Sequence, residues 1–239
     1  MVIDIHEQDK LRGSGIGSTI SDANRIRQAV KFWVQLMIGV LAIQGDFAAH
    51  IRALRRIGED PVEIRSINDL TALDGLILPG GESTTMLKFI ENESFSKSII
   101  GFADAGKPIF GTCAGAILLA REVYNPTQPS LGLIDMVIER NGYGRQVDSF
   151  VGNTEAASEL GTFEAVFIRA PRIKAVGPDV EVLARLNGEP VLVRERNILA
   201  ATFHPELTED RRTHSLFGEM VKSYTSERAH HSFDSLALK

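Results

Sequence analysis

The sequence predicts an α/β protein, a mostly parallel sheet flanked by helices with an antiparallel portion. Three observations predict it. Between residues 38 and 120, short apolar runs of strand length alternate with longer amphipathic stretches of helix length. In the second half, strand-like runs follow one another closely, with Asn187-Gly188 as a hairpin turn between two of them. One apolar run of the first half passes straight into Gly111-Thr112-Cys113-Ala114-Gly115, the spacing of a sharp strand-to-helix turn.

The elements follow in order. Residues 1–36 read as an N-terminal extension. Gly13-Ser14-Gly15-Ile16-Gly17-Ser18 is turn-rich, and Ser21 to Asn24 can cap a short helix through Gln35. The acidic residues Asp4, Glu7, Asp9 and Asp22 argue against a transit peptide. Met37 opens the first clean strand and is itself a candidate start. A main domain is expected over 37–222 and a C-terminal tail over 223–239, frayed from His230 on. Within the domain, strands are expected at 38–43, 75–78 and 108–111, and helices at 47–57, 95–105 and 114–120. Gly58 and Gly106 stand where helix C-caps belong. Further strands are expected at 166–168, 180–186, 190–194 and 198–203, then a last helix over 211–226.

Composition narrows the function. Of 239 residues, 44% are hydrophobic and 24% charged, globular values that exclude wholesale disorder. The net charge is −5, so nucleic acid is not expected as a partner. No apolar stretch approaches the roughly 20 residues that span a bilayer, so no membrane partner is expected. The single cysteine excludes an intramolecular disulfide and Cys₂ or Cys₄ metal sites, and fits a reducing, cytoplasmic compartment.

That cysteine is the most informative residue. A lone cysteine is more often a buried small hydrophobe. The Gly-x-Cys-x-Gly setting reverses those odds, because a core cysteine needs no sharp turn. At such a turn the side chain is pushed out of the sheet. The following helix aims N–H groups at the sulfur, which favours thiolate. A thiolate site also needs a proton carrier. Of the six histidines, His6, His230 and His231 fall in the expected extensions, and His50 and His214 fall on amphipathic helices, where a solvated or satisfied ring is the default. His204 differs, because it follows a strand end and opens His204-Pro205-Glu206. In extended chain Glu206 projects on the same side as His204 and can fix its tautomer.

These residues together resemble a known family. Gly111-Thr112-Cys113-Ala114-Gly115 with His204-Pro205-Glu206 resembles the Cys-His-Glu triad of class I glutamine amidotransferases. Four further stretches narrow the resemblance: Gly39 to Gly45, Leu78-Pro79-Gly80-Gly81-Glu82-Ser83-Thr84-Thr85, Arg140-Asn141-Gly142-Tyr143-Gly144-Arg145-Gln146, and Phe167 to Pro171. They are similar to the glutaminase-subunit family of pyridoxal 5′-phosphate synthases, over about residues 37–220. Residues 1–36 have no counterpart in that pattern.

The resemblance implies a flavodoxin-like amidotransferase fold and hydrolysis of L-glutamine to glutamate and ammonia, with no metal or organic cofactor. It implies Cys113 as nucleophile, His204 as acid and base, and Glu206 as orienter. It assigns glutamine binding to Gly81, Glu82, Ser83, Arg140, Ile168 and Arg169. Glu82 suits the substrate ammonium and an arginine its carboxylate, the choice of arginine being open at this point. The N–H of Ala114, next after the nucleophile, is the expected oxyanion donor on geometry, and the resemblance adds Gly81. The implied partner is a barrel-fold synthase subunit in a hetero-oligomeric complex, with the Gln44-Gly45-Asp46 loop and the His50 helix as interface candidates. Two rivals remain: a stand-alone γ-glutamyl hydrolase of the same triad class, and a catalytically inactive scaffold, against which the intact triad argues.

Overall fold

The computed structural model describes residues 36–81, 83–142, 149–156 and 160–237. The helix expected through Gln35 lies outside them. In chain order the strands are β1 (Ile38–Leu41), β2 (Val62–Ile64), β3 (Gly75–Leu78), β4 (Ile109–Thr112), β5 (Ala120–Tyr124), β6 (Ile134–Glu139), β7 (Ser149–Ala156), β8 (Phe163–Ile168), β9 (Arg172–Val176), β10 (Glu181–Leu186), β11 (Glu189–Glu195) and β12 (Ile198–Ala201). The helices are α1 (Phe47–Arg56), α2 (Ser83–Ile90), α3 (Glu93–Asp104), α4 (Ala114–Leu119) and α5 (Arg212–Ala237).

Among the described residues, nine strands form one sheet in the order β2-β1-β3-β4-β12-β11-β10-β7-β8. The first five run parallel and the rest antiparallel. Every residue of β1, β3, β4 and β12 is buried. These are the short unbroken apolar runs of the sequence, and burial on both faces is what such runs require. Alternation along the strands feeds two cores. Leu76 and Leu78 of β3 pack on one side with Phe95, Ile99 and Phe102 of α3. Ile77 packs on the other with Leu54 of α1 and Phe217 and Val221 of α5. Asn92 caps α3 by accepting the N–H groups of Ser94 and Phe95 at 3.1 and 3.4 Å.

Besides β2, α2 and β7, which the sequence reading did not single out, three results differ from expectation. A second sheet, β5-β6-β9, has no counterpart in the sequence reading. Residues 114–120 read as one helix, but the chain leaves the helix at Ala120, which pairs with Ile134 across β5 and β6. The strong helix formers around it are overridden by that tertiary pairing. The last helix continues past residue 226 to Ala237, with no glycine or proline after Gly218 to stop it. No helix of the described residues is long and apolar enough to cross a membrane.

Leu36, one residue before the expected domain start, is buried in the α1/α5 core. A chain that begins at Leu36 is therefore expected to be more stable than one that begins at Met37, by up to about 2 kcal/mol. Urea unfolding midpoints compare the two, and equal midpoints would show that Leu36 contributes nothing.

Candidate active site

Cys113 stands between β4 and α4 with φ 48° and ψ −105°. A non-glycine residue there costs about 1–3 kcal/mol and persists only where its surroundings over-determine it. Here they do. The Cys113 N–H donates to Ala201 O at 2.8 Å, tying the turn to β12. The flanking glycines are required by close approach. A Cβ on Gly115 would lie 2.0 Å from Leu78 O, and one on Gly111 would lie 2.7 Å from the Gly115 carbonyl oxygen. The helix is thus pressed onto the sheet. The turn directs the sulfur toward the end of β8, 3.9 Å from Ile168 O. It is covered there rather than exposed, at 7% of its free surface.

His204 lies just past β12, in the same core of the sheet edge. Its N–H donates to Val166 O at 2.8 Å, which fixes it beside β8. Its Nδ1 is 2.8 Å from Glu206 Oε1. The route differs from the extended chain expected. Pro205–Leu207 forms a 3₁₀ turn, with proline at its first position. Both side chains are nearly buried. Burial alone would lower the His204 pKa, but its hydrogen bonds to Cys113 and Glu206 raise it to about 10. Burial pushes the Glu206 carboxyl up, and His50 and His204 more than reverse this, leaving it below the ordinary value.

The Pro79-Gly80-Gly81 turn closes over the pair. A Cβ on Gly80 would lie 2.5 Å from His204 Cε1 and 3.3 Å from Cys113 Cβ. The Gly80 N–H donates to Thr112 Oγ1 at 3.0 Å, so the residue before the cysteine anchors the turn. Gly80 O lies against Gly45, whose Cβ would fall 1.7 Å from it. Carbonyl and N–H of a trans peptide point in opposite directions, so the Gly81 N–H faces away from Gly45.

The expected binding residues divide. Gly81 is exposed beside Gln44, and Ile168 reaches Cys113 through its carbonyl. Arg169 follows at φ 43°, exposed. Arg140 follows β6, whose Glu139 pairs with Arg172, three residues after Arg169. Burial lowers the Arg140 pKa. Arg172 also donates to Gly142 O at 3.1 Å and binds Glu189 through both carboxylate oxygens. Ser83 heads α2, and Glu82 and residues 143–146 lie outside the described residues.

The SNO glutamine amidotransferase family model matches residues 40–223. The chain belongs to that family. Among relatives of this SNO-family chain, the pyridoxal 5′-phosphate synthase subunit PdxT of Koribacter versatilis is 51% identical over 80% of this chain and 98% of its own. The subunit of the same name from Shouchella clausii is 47% identical over 82% of this chain and 100% of its own. A solved glutamine amidotransferase superposes with a TM-score of 0.73 at 48% identity, covering 77% of this chain and 98% of that one. PurLQS from Thermotoga maritima, 18% identical with a TM-score of 0.55, covers 83% of this chain and 99% of its own, and shares the fold.

Sequence reasoning missed Thr112 and the contacts of His50 and His214 within this SNO-family site. His50 and His214 are fully buried. The signal for their burial was present, since His50 falls on the apolar stripe of α1 with Phe47, Ile51 and Leu54, and His214 on that of α5 with Phe217 and Val221, although the stripe does not mark them as partners.

Two outcomes follow from the geometry. Gly115→Ala drives a methyl into the Leu78 carbonyl and should cost about 1–3 kcal/mol, read from denaturant midpoints; an unchanged midpoint would mean the turn relaxes freely. His204 should keep its second proton well above 6.5, and Cys113→Ala should bring its titration down, as followed by NMR of the ring. Between 6.5 and about 10 the folded chain holds a proton that the unfolded chain has released. This contribution to stability is complete below 6.5 and lost as pH rises through about 10. A His204 midpoint near 6.5 would contradict it.

Proposed function

We propose that the chain hydrolyses L-glutamine to L-glutamate and ammonia through Cys113, His204 and Glu206, and delivers the ammonia to a pyridoxal 5′-phosphate synthase subunit. The observation that carries this reading is the strained Cys113 turn facing a His204 ring clamped by Glu206 at 2.8 Å. The relatives' names support the synthase assignment.

The residues suffice for the chemistry. Thiolate Cys113 attacks the side-chain amide carbon of glutamine, and the carbonyl oxygen takes the negative charge. The N–H groups of Ala114 and Gly81 receive that charge, each such donor contributing about 3–4 kcal/mol. Imidazolium His204 protonates the departing nitrogen, and ammonia leaves. A γ-glutamyl thioester and a neutral His204 remain. His204 then takes a proton from water as the oxygen attacks the thioester. Collapse releases glutamate and the thiolate and restores the imidazolium. Glutamine binding falls to Gly81, Glu82, Ser83, Arg140, Ile168 and Arg169, with Ile168 contributing its backbone. Ammonia that escaped into water would become ammonium and lose nucleophilicity, so a barrel-fold synthase must dock over the site. The Gln44-Gly45-Asp46 loop and α1 are the docking face on this reading.

Cys113→Ala should lower glutaminase activity by about 10³-fold or more while leaving the fold and synthase binding intact. Glu206→Gln should cost less than His204→Ala, because the carboxylate orients the ring without carrying the transferred proton. Ammonia release by Cys113→Ala at the unmutated rate would sink the assignment.

The Gly80-Gly81 peptide is also the element by which docking would raise activity, since the partner would contact Gln44 and Gly45 beside it. Gly81 has φ 154°, which valine resists. Gly81→Val should therefore depress glutamine turnover even in the complex. Turnover by the isolated chain equal to that of the complex would remove this regulatory role and leave the triad standing.

A further inference from the structure

Behind the triad lies a buried polar chain with no part in the steps above. His50 Nε2 sits 3.1 Å from Thr112 Oγ1 and 3.3 Å from Glu206 Oε2. His50 Nδ1 sits 3.0 Å from His214 Nε2. All three partners are buried. Glu206 Oε2 has no hydrogen-bond partner among the described residues, so this approach of His50 is its polar neighbour there. Thr112 Oγ1 is also the acceptor for the Gly80 N–H.

The hydrogens follow from the chemistry of the groups. An ionised carboxylate only accepts, so the His50 nitrogen facing Glu206 must carry a hydrogen. Burial pushes the His50 pKa down, so the ring is neutral and its Nδ1 is bare. His214 Nε2–H therefore donates to it. That leaves the unprotonated Nδ1 of His214 as the buried atom without a partner, and no buried N–H is stranded.

We propose that His50, seated on His214, is a positioning residue that holds the Glu206 carboxylate and the Gly80–Gly81 turn in register, through one ring N–H shared between Glu206 Oε2 and Thr112 Oγ1. This rests on the reading of Cys113, His204 and Glu206 as the glutaminase triad. The His204 clamp uses one oxygen of Glu206 and His50 faces the other. The oxyanion turn hangs from Thr112, whose hydroxyl His50 also meets. One ring thus ties the proton carrier to the oxyanion donors, and it sits on α1, directly after the loop that touches Gly80 O. With an apolar side chain in its place, Glu206 Oε2 would face no donor and Thr112 could rotate away from Gly80.

The titratable groups that face His50 are Glu206 and His204 from the turn after β12, His214 from α5, and Asp46 from its own helix start. The test combines four measurements on the full chain in its synthase complex. Ring-nitrogen NMR of the unmutated protein should show His50 neutral with hydrogen on Nε2. His50→Leu should lower kcat by about tenfold to a hundredfold with KM little changed, and should shift the pH dependence of Cys113 alkylation. His50→Gln, which keeps an N–H near the Nε2 position, should recover most of kcat. Thr112→Val should cost much less on top of His50→Leu than alone. Hydrogen on Nδ1 of His50 would overturn the proposal even if His50→Leu fails to fold. So would a folded His50→Leu with unmutated kcat and an unshifted alkylation profile. Cys113→Ala is the control: if it still hydrolyses glutamine, the triad reading fails, whereas loss of activity there with a wild-type His50→Leu fails the His50 proposal alone.

Discussion

The left-handed backbone at Cys113 is the constraint on which the rest of the site depends. A cysteine at φ 48° is tolerated only because the chain is held on both sides. Upstream, β4 is locked between β3 and β12 in parallel register. Downstream, Gly115 lets the first turn of α4 touch Leu78 O. The same β12 that receives the Cys113 N–H also delivers His204 three residues after Ala201. Cys113 and His204 therefore follow neighbouring strands whose spacing the sheet sets, and their approach does not depend on a long loop.

Electrostatics completes what the backbone begins. A buried imidazole ordinarily loses its proton. At His204 the sulfur and the carboxylate reverse this, so the ring stays charged through neutrality. The six-residue α4 is too short for a full helix dipole, and Cys113 at its N-cap makes no side-chain capping hydrogen bond. The contacts of His204 with Cys113 and Glu206 therefore hold the proton on the ring. It is a low-dielectric arrangement, and it works because every charged member has a partner within hydrogen-bond reach.

Much of this was legible in the sequence, for identifiable reasons. The central strands are unbroken apolar runs, so β1, β3, β4 and β12 announce themselves. Cys113 and His204-Pro205-Glu206 are local patterns with a local mechanical meaning. The small sheet was not legible, because β5 starts within helix-forming residues and exists through pairing with Ile134. The His50–His214 contact joins residues 164 apart, and nothing local marks two histidines on different helices as partners. Thr112 was read only as part of a turn, since its role depends on Gly80, 32 residues away. Short-range geometry is written in the sequence, whereas the polar contacts behind the triad depend on how helices α1 and α5 settle on the sheet.

The central claim is that Cys113 is the nucleophile that carries the γ-glutamyl group. Because the chain has a single cysteine, any thioester has one address. Acid-quenching the complex during glutamine turnover, followed by mass spectrometry of the peptide containing Cys113, tests it directly. A γ-glutamyl adduct on Cys113 that disappears when glutamine is exhausted is the result this account predicts. Glutamine turnover at full rate with that peptide unmodified at every time point, and with hydrolysis surviving Cys113→Ala, would contradict it.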